Sequence, residues 1–396
     1  MADIQVYGAS WCPDCLRAKK FLTEQRVPFD WFDIERNPRL VRMVEQRNDG
    51  KHIIPTVVFA DGSHLSEPTN EQLADKLGLI RTAAQHLYDL IIVGGGPAGL
   101  TTAIYAAREN IEALVIEVSG LGGQAGVTNR VENYPGFPEG VRGGDLADRF
   151  IEQARRYGVE LLQAVGVAGV ERDPDGVVVV ETRAGEHYHA RAVLVATGSS
   201  YRRLLVPGED ELIGAGIHFC ATCDGPFYRG ASELLVVGGG NSGLEEGLFL
   251  TQFADMVTVV EFNPTLKASR LLQDKVLEDP KMRVLTNHRV AEFRVGPGPK
   301  LEAVVVEDRA TGLTRELDPA AVFVFIGLDP NSGFLEGSVD RDGEGFVVTD
   351  GSLSTSMPGV FAAGDVRAGS TKQLASAVGE GAAAALAIRT YLESVR

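Results

Sequence analysis

The sequence predicts an α/β protein with a small N-terminal unit followed by two larger units built on one shared plan. Three observations predict it. The apolar run Leu90-Ile91-Ile92-Val93 enters the turn Gly94-Gly95-Gly96-Pro97-Ala98-Gly99. The same pattern returns where Leu234-Leu235-Val236-Val237 enters Gly238-Gly239-Gly240-Asn241-Ser242-Gly243. Ahead of both, residues 1–78 carry their own short alternation of strand and helix periods.

The N-terminal unit reads in order. Ile4-Gln5-Val6-Tyr7 alternates like a strand, residues 16–25 carry helical periodicity, and residues 29–34 and 54–59 read as further strands. Asp61-Gly62 makes a turn, residues 69–77 close the unit as a helix, and Gly78 stops it. Residues 79–86 are expected to be a linker that lets this unit swing.

Each larger unit has the form expected of a Rossmann-like dinucleotide site. The first glycines, Gly94 and Gly238, permit the tight turn. Gly96 and Gly240 let the backbone approach a pyrophosphate, and Gly99 and Gly243 let the helix pack closely on the strand. The helix that follows aims its N–H groups at the phosphates. A second apolar strand then ends in an acid, Glu117 or Glu261, and both acids lie 23 residues after their first glycine. An offset of about 20 suits a carboxylate that grips ribose hydroxyls. A nicotinamide coenzyme at the second site is expected to be NADH rather than NADPH. Glu261 would repel a 2′-phosphate, and the first cation after it in sequence is Lys267.

The chain has four cysteines, in two Cys-x-x-Cys pairs, Cys12/Cys15 and Cys220/Cys223. The spacing lets each pair close and reopen a small disulfide ring. Asp224 follows the second pair, where it can hold or relay a proton or can serve only as a turn residue before Gly225. The long separation of the pairs argues against a shared zinc site, so no metal is expected. His187 and His189 share one strand face and read as surface histidines.

The formal net charge of −16 disfavours nucleic acid and anionic membranes as partners. No apolar run approaches the roughly 18 residues of a membrane span, and no signal peptide is visible, so a cytoplasmic location is expected.

The motifs Gly94–Gly99, Gly122-Gly123-Gln124, Glu132-Asn133-Tyr134-Pro135-Gly136, Ala196-Thr197-Gly198, Cys220–Gly225, Gly238–Gly243 and Gly359-Val360-Phe361-Ala362-Ala363-Gly364-Asp365, in this order, resemble the low-molecular-weight thioredoxin reductase family. The resemblance implies FAD in the first unit. Glu117 would bind the adenosine ribose, Gln124 and Asn133 would line the flavin, Asp365 would meet the ribityl chain, and Gln373 would lie near the isoalloxazine ring. It also implies an FAD domain split over 87–203 and 324–396, an inserted NAD(P) domain over 204–323 that carries the redox disulfide, rotation about residues 201–206 and 326–330, and a homodimer. Around the second ribose, Glu261-Phe262-Asn263-Pro264 looks more like the flavoprotein subunit of alkyl hydroperoxide reductase, an NADH enzyme.

The N-terminal unit resembles a single thioredoxin-fold domain of glutaredoxin or mycoredoxin type, on Ser10-Trp11-Cys12-Pro13-Asp14-Cys15 and Ile54-Pro55-Thr56. Cys12 would start a helix whose dipole favours its thiolate, opposed by Asp14, and Cys15 would resolve from a more buried position. Pro55 would be cis. The glutathione motif of ordinary glutaredoxins is absent after Asp61.

The expected route runs from NADH to FAD, to Cys220/Cys223, to Cys12/Cys15, and out to an external disulfide such as that of a peroxiredoxin. A general thiol reductase acting on ribonucleotide reductase or low-molecular-weight mixed disulfides, and a low-turnover flavin sensor, are the alternatives.

Overall fold

The computed structural model describes residues 3–9, 12–36, 38–128, 131, 133–296 and 300–395, with backbone only at 36, 38, 222 and 223. The chain forms two compact units. The first takes residues 1–130, 141–199 and 330–396, and the second takes 131–140 and 200–329.

The N-terminal module opens with β1 (Ile4–Gly8) and α1 (Pro13–Glu24), followed by β2 (Phe29–Asp33), α2 (Pro38–Arg47), β3 (Thr56–Val58), β4 (His64–Ser66) and α3 (Asn70–Lys76). Its sheet runs β2-β1-β3-β4, with β1 parallel to β2 and antiparallel to β3. Helix α1 begins at Pro13 rather than residue 16 because Cys12 caps it and Pro13 suits a first helical position. Helix α3 starts in a reciprocal capping box between Thr69 and Gln72. Helix α2 was not legible from apolar spacing; it packs on a small side cluster around Tyr7, Ile34, Val44 and Val58.

The first nucleotide-type fold starts with β5 (Leu87–Val93), α4 (Pro97–Arg108) and β6 (Ala113–Ile116). Then come α5 (Gly123–Val127), α6 (Gly143–Arg156), β7 (Glu160–Leu162), β8 (Val167–Arg172), β9 (Val178–Thr182) and β10 (His187–Val195). The continuous apolar run of β5 is buried between parallel neighbours β6 and β10, which is why it lacks alternation.

Strand β11 (Ser199–Tyr201) marks the crossing to the second unit. There follow α7 (Glu209–Leu212), β12 (Ile217–His218), α8 (Ala221–Asp224), β13 (Ala231–Val237), α9 (Asn241–Leu250), β14 (Ala254–Val260), α10 (Arg270–Glu278) and β15 (Met282–Leu285). Strands β16 (His288–Val295), β17 (Leu301–Asp308) and β18 (Thr314–Leu317) form a small antiparallel sheet, and β19 (Ala321–Val324) completes a parallel one in the order β12-β19-β13-β14-β15. The return crossing, β20 (Leu328–Pro330), pairs with β11. The chain then adds β21 (Val360–Ala362) beside β10 and ends in α11 (Leu374–Ser394).

Two features differ from the sequence expectations. Residues 131–140, 200–203 and 324–329, expected in the first nucleotide domain, group with the second unit. Among the described residues, 131–140 contain no helix or strand whose periodicity could have fixed their side. The segment 79–86, expected to swing, is bonded along its length to the first unit. Gln163 N–H donates to the Ile80 carbonyl (2.9 Å) and His189 N–H to that of His86 (2.7 Å). The N–H groups of Ala83, Ala84 and Gln85 donate to Tyr188 Oη (3.3 Å), Glu160 Oε1 (2.6 Å) and Tyr88 Oη (3.1 Å). Tyr188 and Glu160 come from β10 and β7, too far along the chain for local composition to reveal.

Candidate functional site

The two glycine turns repeat each other nearly atom for atom. Gly94 and Gly238 have φ of +113° and +117°, a region that favours glycine. A Cβ on Gly99 would lie 2.0 Å from the Gly94 carbonyl oxygen, and one on Gly243 would lie 1.9 Å from that of Gly238, so helices α4 and α9 can start this close only from glycine. At Gly96 and Gly240 an added Cβ would meet nothing within 4 Å. The space over both helix starts is open, and neither helix has a side-chain cap. Unsatisfied N–H groups there suit an anion.

The acids hold these turns in shape. Glu117 is 7% exposed and accepts from Gly95 N–H (2.6 Å), Ser119 N–H (2.7 Å) and the Ser119 hydroxyl (3.0 Å). Glu261 is 5% exposed and accepts from Gly239 N–H (2.6 Å) and from Asn263 N–H (2.8 Å) and its amide (2.5 Å). A carboxylate has about four acceptor positions, so a bracket to the turn leaves room for a ribose hydroxyl. The structure also brings a cation that sequence order hid. Arg309, just past β17, lies 3.6 Å over the Phe262 ring and donates to the Phe262 carbonyl (2.8 Å).

In the first unit Asp365 sits in a helical turn after β21. Its Oδ1 is buried without a hydrogen-bond partner, and burial raises its carboxyl pKa, opposed by the Lys372 ammonium. Burial in turn lowers that of Lys372, whose Nζ donates to the Asp365 carbonyl (2.5 Å). Glu380 on α11 fixes the turn by accepting from Gly364 N–H (2.7 Å) and pairing with Arg367 (2.7 Å); neither role was found from sequence. Gln373 is the half-buried residue preceding α11. Gln124, on α5, is exposed. Asn133 is exposed and belongs to the segment grouped with the second unit.

In that second unit β12 leads into the disulfide. Cys220 is disulfide-bonded. The side chain of Cys223 lies outside the described residues. Asp224 ends α8, and its Oδ2 lies 3.5 Å from Nδ1 of His218, a residue only 8% exposed. His218 Nε2 lies 2.7 Å from the Tyr228 hydroxyl, which burial and then the Asp224 charge push up to about 12. His218 and Tyr228 were missed in the sequence; the only signal was a histidine two positions before Cys220.

The first cysteine pair starts α1. Cys12 is 6% exposed and caps the helix, with its sulfur accepting from Cys15 N–H at 3.2 Å. Cys15 is fully buried, and burial first, then its hydrogen bond with Cys12, push its thiol up to about 12. Trp31 and Ile54 pack against the cluster of Ala9, Cys12 and Cys15, and the Ile54–Pro55 bond is cis. The Asp14 charge is paired with Arg17 (2.9 Å), which moderates its opposition to the helix dipole. Among the described residues no three His, Cys, Asp or Glu side chains gather as a metal ion requires.

Residues 88–381 match the family described as pyridine nucleotide-disulphide oxidoreductase, and residues 4–65 match glutaredoxin. The chain is 40% identical over 314 residues to the thioredoxin reductase of Listeria innocua, covering 79% of this chain and 96% of that protein. It belongs to the thioredoxin reductase family, with a glutaredoxin domain at its N-terminus. A bifunctional thioredoxin reductase/thioredoxin of Mycobacterium leprae is also 40% identical, over 78% of this chain and 67% of its own. The crystal structure of Streptococcus pyogenes thioredoxin reductase superposes with a TM-score of 0.74 at 39% identity, covering 78% of this chain and all of that one.

Membership makes this chain an FAD-dependent NAD(P)H:disulfide oxidoreductase. The first unit fits FAD: Asp365 offers a buried oxygen without a partner, and the space over Gly96 is open to a pyrophosphate. No helix among the described residues is long and apolar enough to cross a membrane.

Proposed function

We propose that this reductase uses NADH and delivers its electrons through its own glutaredoxin domain to a protein disulfide, most simply that of a peroxiredoxin. The observation that carries this is the pairing of two different sulfur centres in one chain, a disulfide-bonded Cys220 and a helix-capping Cys12 backed by a buried Cys15 thiol.

FAD, when bound, takes a hydride from the nicotinamide and returns the electron pair to a disulfide. The chain's residues do the rest. Glu117, Gln124, Asn133, Asp365 and Gln373 would hold the cofactor. Gly238, Gly240, Gly243 and Glu261 would hold the nicotinamide coenzyme, where the Glu261 carboxylate disfavours a 2′-phosphate. Once reduced, a thiolate of the Cys220/Cys223 pair attacks the Cys12–Cys15 disulfide, and its partner thiol displaces the mixed disulfide. Two electrons pass, the Cys220–Cys223 disulfide closes again, and Cys12 and Cys15 are left as thiols. Asp224 holds or releases the proton that each thiol must exchange. Cys15 stays protonated at neutral pH, so Cys12 is left as the attacking thiolate toward the external disulfide, and Cys15 resolves the mixed product. Rotation about residues 201–206 and 326–330 lets the second unit serve hydride and thiol transfer in turn.

The test is a Cys12→Ser variant given NADH and, in parallel, an oxidised peroxiredoxin, a ribonucleotide reductase and a low-molecular-weight mixed disulfide. The proposal expects peroxiredoxin reduction to vanish while a small aromatic disulfide, reduced directly by the second pair, is still consumed. Unchanged peroxiredoxin reduction by the variant would remove the glutaredoxin domain from the route. Faster reduction of another acceptor by the wild type would reassign the target.

A further inference from the structure

The glutaredoxin domain rests on the first nucleotide fold through the C-terminal end of α1, and that seam has the marks of a built contact. Helix α1 ends with Arg26 in the left-handed region (φ 54°), with Val27 N–H bonded back to the Leu22 carbonyl (3.0 Å). Glycine is the usual residue at this place, because a Cβ is sterically disfavoured there. This chain places an arginine instead, and its guanidinium reaches three partners. It donates to the carbonyls of Gly144 (3.0 Å) and Leu121 (3.4 Å) and pairs with Asp148 (2.7 Å).

Beside it, the Gln25 amide donates to the Ser119 carbonyl (2.9 Å). Gly120 faces the same helix end. Its backbone is not in the left-handed region, yet a Cβ there would lie 1.8 Å from the Glu24 carbonyl oxygen. Glycine is therefore required at 120 by the other domain's approach and not by its own turn.

The seam leads into the cofactor site by an unbroken chain of hydrogen bonds. Gln25 bonds Ser119, Ser119 bonds Glu117, and Glu117 bonds Gly95 of the phosphate turn. Gly122 N–H also donates to the Gly95 carbonyl (2.8 Å). The Glu24 carboxyl is raised by burial, opposed by Lys20, and is raised further by the nearby Glu117 charge, which places it close to the expected ribose acid.

We propose that Gln25 and Arg26 make the glutaredoxin domain a strut of the adenosine end of the FAD site, so that its docking and FAD retention are thermodynamically coupled. Loop 119–122 carries the coupling, and by reciprocity FAD must tighten the docking as much as docking tightens FAD. The inference rests on FAD occupying the first site.

The test uses the full chain with FAD. Arg26→Gly removes the clamp and relieves the left-handed strain, so the glutaredoxin domain itself stays folded, which its tryptophan fluorescence checks. Gly120→Ala blocks the approach from the other side. We expect both variants to release FAD faster by on the order of fivefold or more, read as flavin fluorescence on dilution. Removing FAD from the wild type should speed amide exchange at residues 25–27 by a matching factor. Arg26→Gly protein with faster exchange at 25–27 but a wild-type release rate would overturn the coupling. Unchanged exchange in both variants would show that the seam is not held by these residues. A wild-type protein that binds no FAD would instead defeat the flavin reading, and exchange would still report whether the domain is docked.

Discussion

His218 bridges Asp224 and the Tyr228 hydroxyl, with Nδ1 at 3.5 Å from the carboxylate and Nε2 at 2.7 Å from the phenol. The phenol is pushed up to about 12, so it stays protonated and donates to Nε2. The tautomer that satisfies both contacts then carries its proton on Nδ1, aimed at Asp224. If Asp224 exchanges protons with the Cys220/Cys223 dithiol as proposed, this arrangement would hold its carboxylate in place.

Asp224→Asn is therefore expected to slow disulfide reduction by about 10²-fold, the low end for general acid–base catalysis, with flavin reduction by NADH unchanged. His218→Gln should keep the packing, slow the same step less, and move its pH profile. Rapid-mixing traces of the two half-reactions separate these effects. A loss for His218→Gln that is equal at every pH would make the histidine a packing residue only.

On the proposed reading, coenzyme choice would rest on the balance between Glu261, buried at the end of β14, and Arg309, exposed over Phe262. At contact distance a unit charge pair is worth about 1–4 kcal/mol between bulk water and a protein surface. Glu261→Gln should raise the NADPH/NADH ratio of kcat/KM by about tenfold. Its lost bracket to Gly239 weakens both coenzymes alike, so the ratio is the readout. Adding Arg309→Ala to that variant should lower the ratio again. If NADPH is already preferred by the wild type, Arg309 outweighs the acid and the NADH assignment fails.

The glycine turns, the acids and both cysteine pairs were legible because each is a local backbone requirement written in consecutive residues. Gly94, Gly99 and Glu117 need only their own strand, turn and helix to explain them. What stayed hidden was contact between distant segments. Arg309 reaches Phe262 from another sheet, Glu380 on α11 holds the Gly364 turn, and Arg26 looks like an ordinary end-of-helix cation until Asp148 is brought beside it. Apolar period shows which face of an element is buried but not what buries it. The linker shows this most clearly, since Glu160 and Tyr188 tie it down from two distant strands.

If Asp365 meets the cofactor as proposed, the cofactor-free protein carries a cost there that FAD would remove. A buried polar atom without a partner costs about 1–3 kcal/mol, which a ribityl hydroxyl would recover. The rise in unfolding temperature on FAD reconstitution should thus be clearly smaller for Asp365→Ala than for the wild type, measured by calorimetry on flavin-free and reconstituted protein. An equal rise in both would remove Asp365 from the cofactor's contacts.

Cys15 gives the glutaredoxin domain an alkaline limit. Its buried thiol is pushed up to about 12 from an ordinary 9.0, by burial first and then by the Cys12 hydrogen bond; Asp14 adds to the shift, and a backbone bond from Ala9 opposes it. The folded state therefore holds this proton more tightly than the unfolded chain does. The resulting stability is fully present below pH 9 and is lost as pH rises toward 12. Both tryptophans, Trp11 and Trp31, lie in this domain, so their fluorescence follows its unfolding within the whole reduced chain. Between pH 8 and 11 the unfolding temperature of the wild type should fall more steeply than that of Cys15→Ala, which has no thiol to ionise. Parallel slopes for the two proteins would mean that Cys15 ionises as readily folded as unfolded, and Cys12 would then lose the argument for being the sole attacking thiolate.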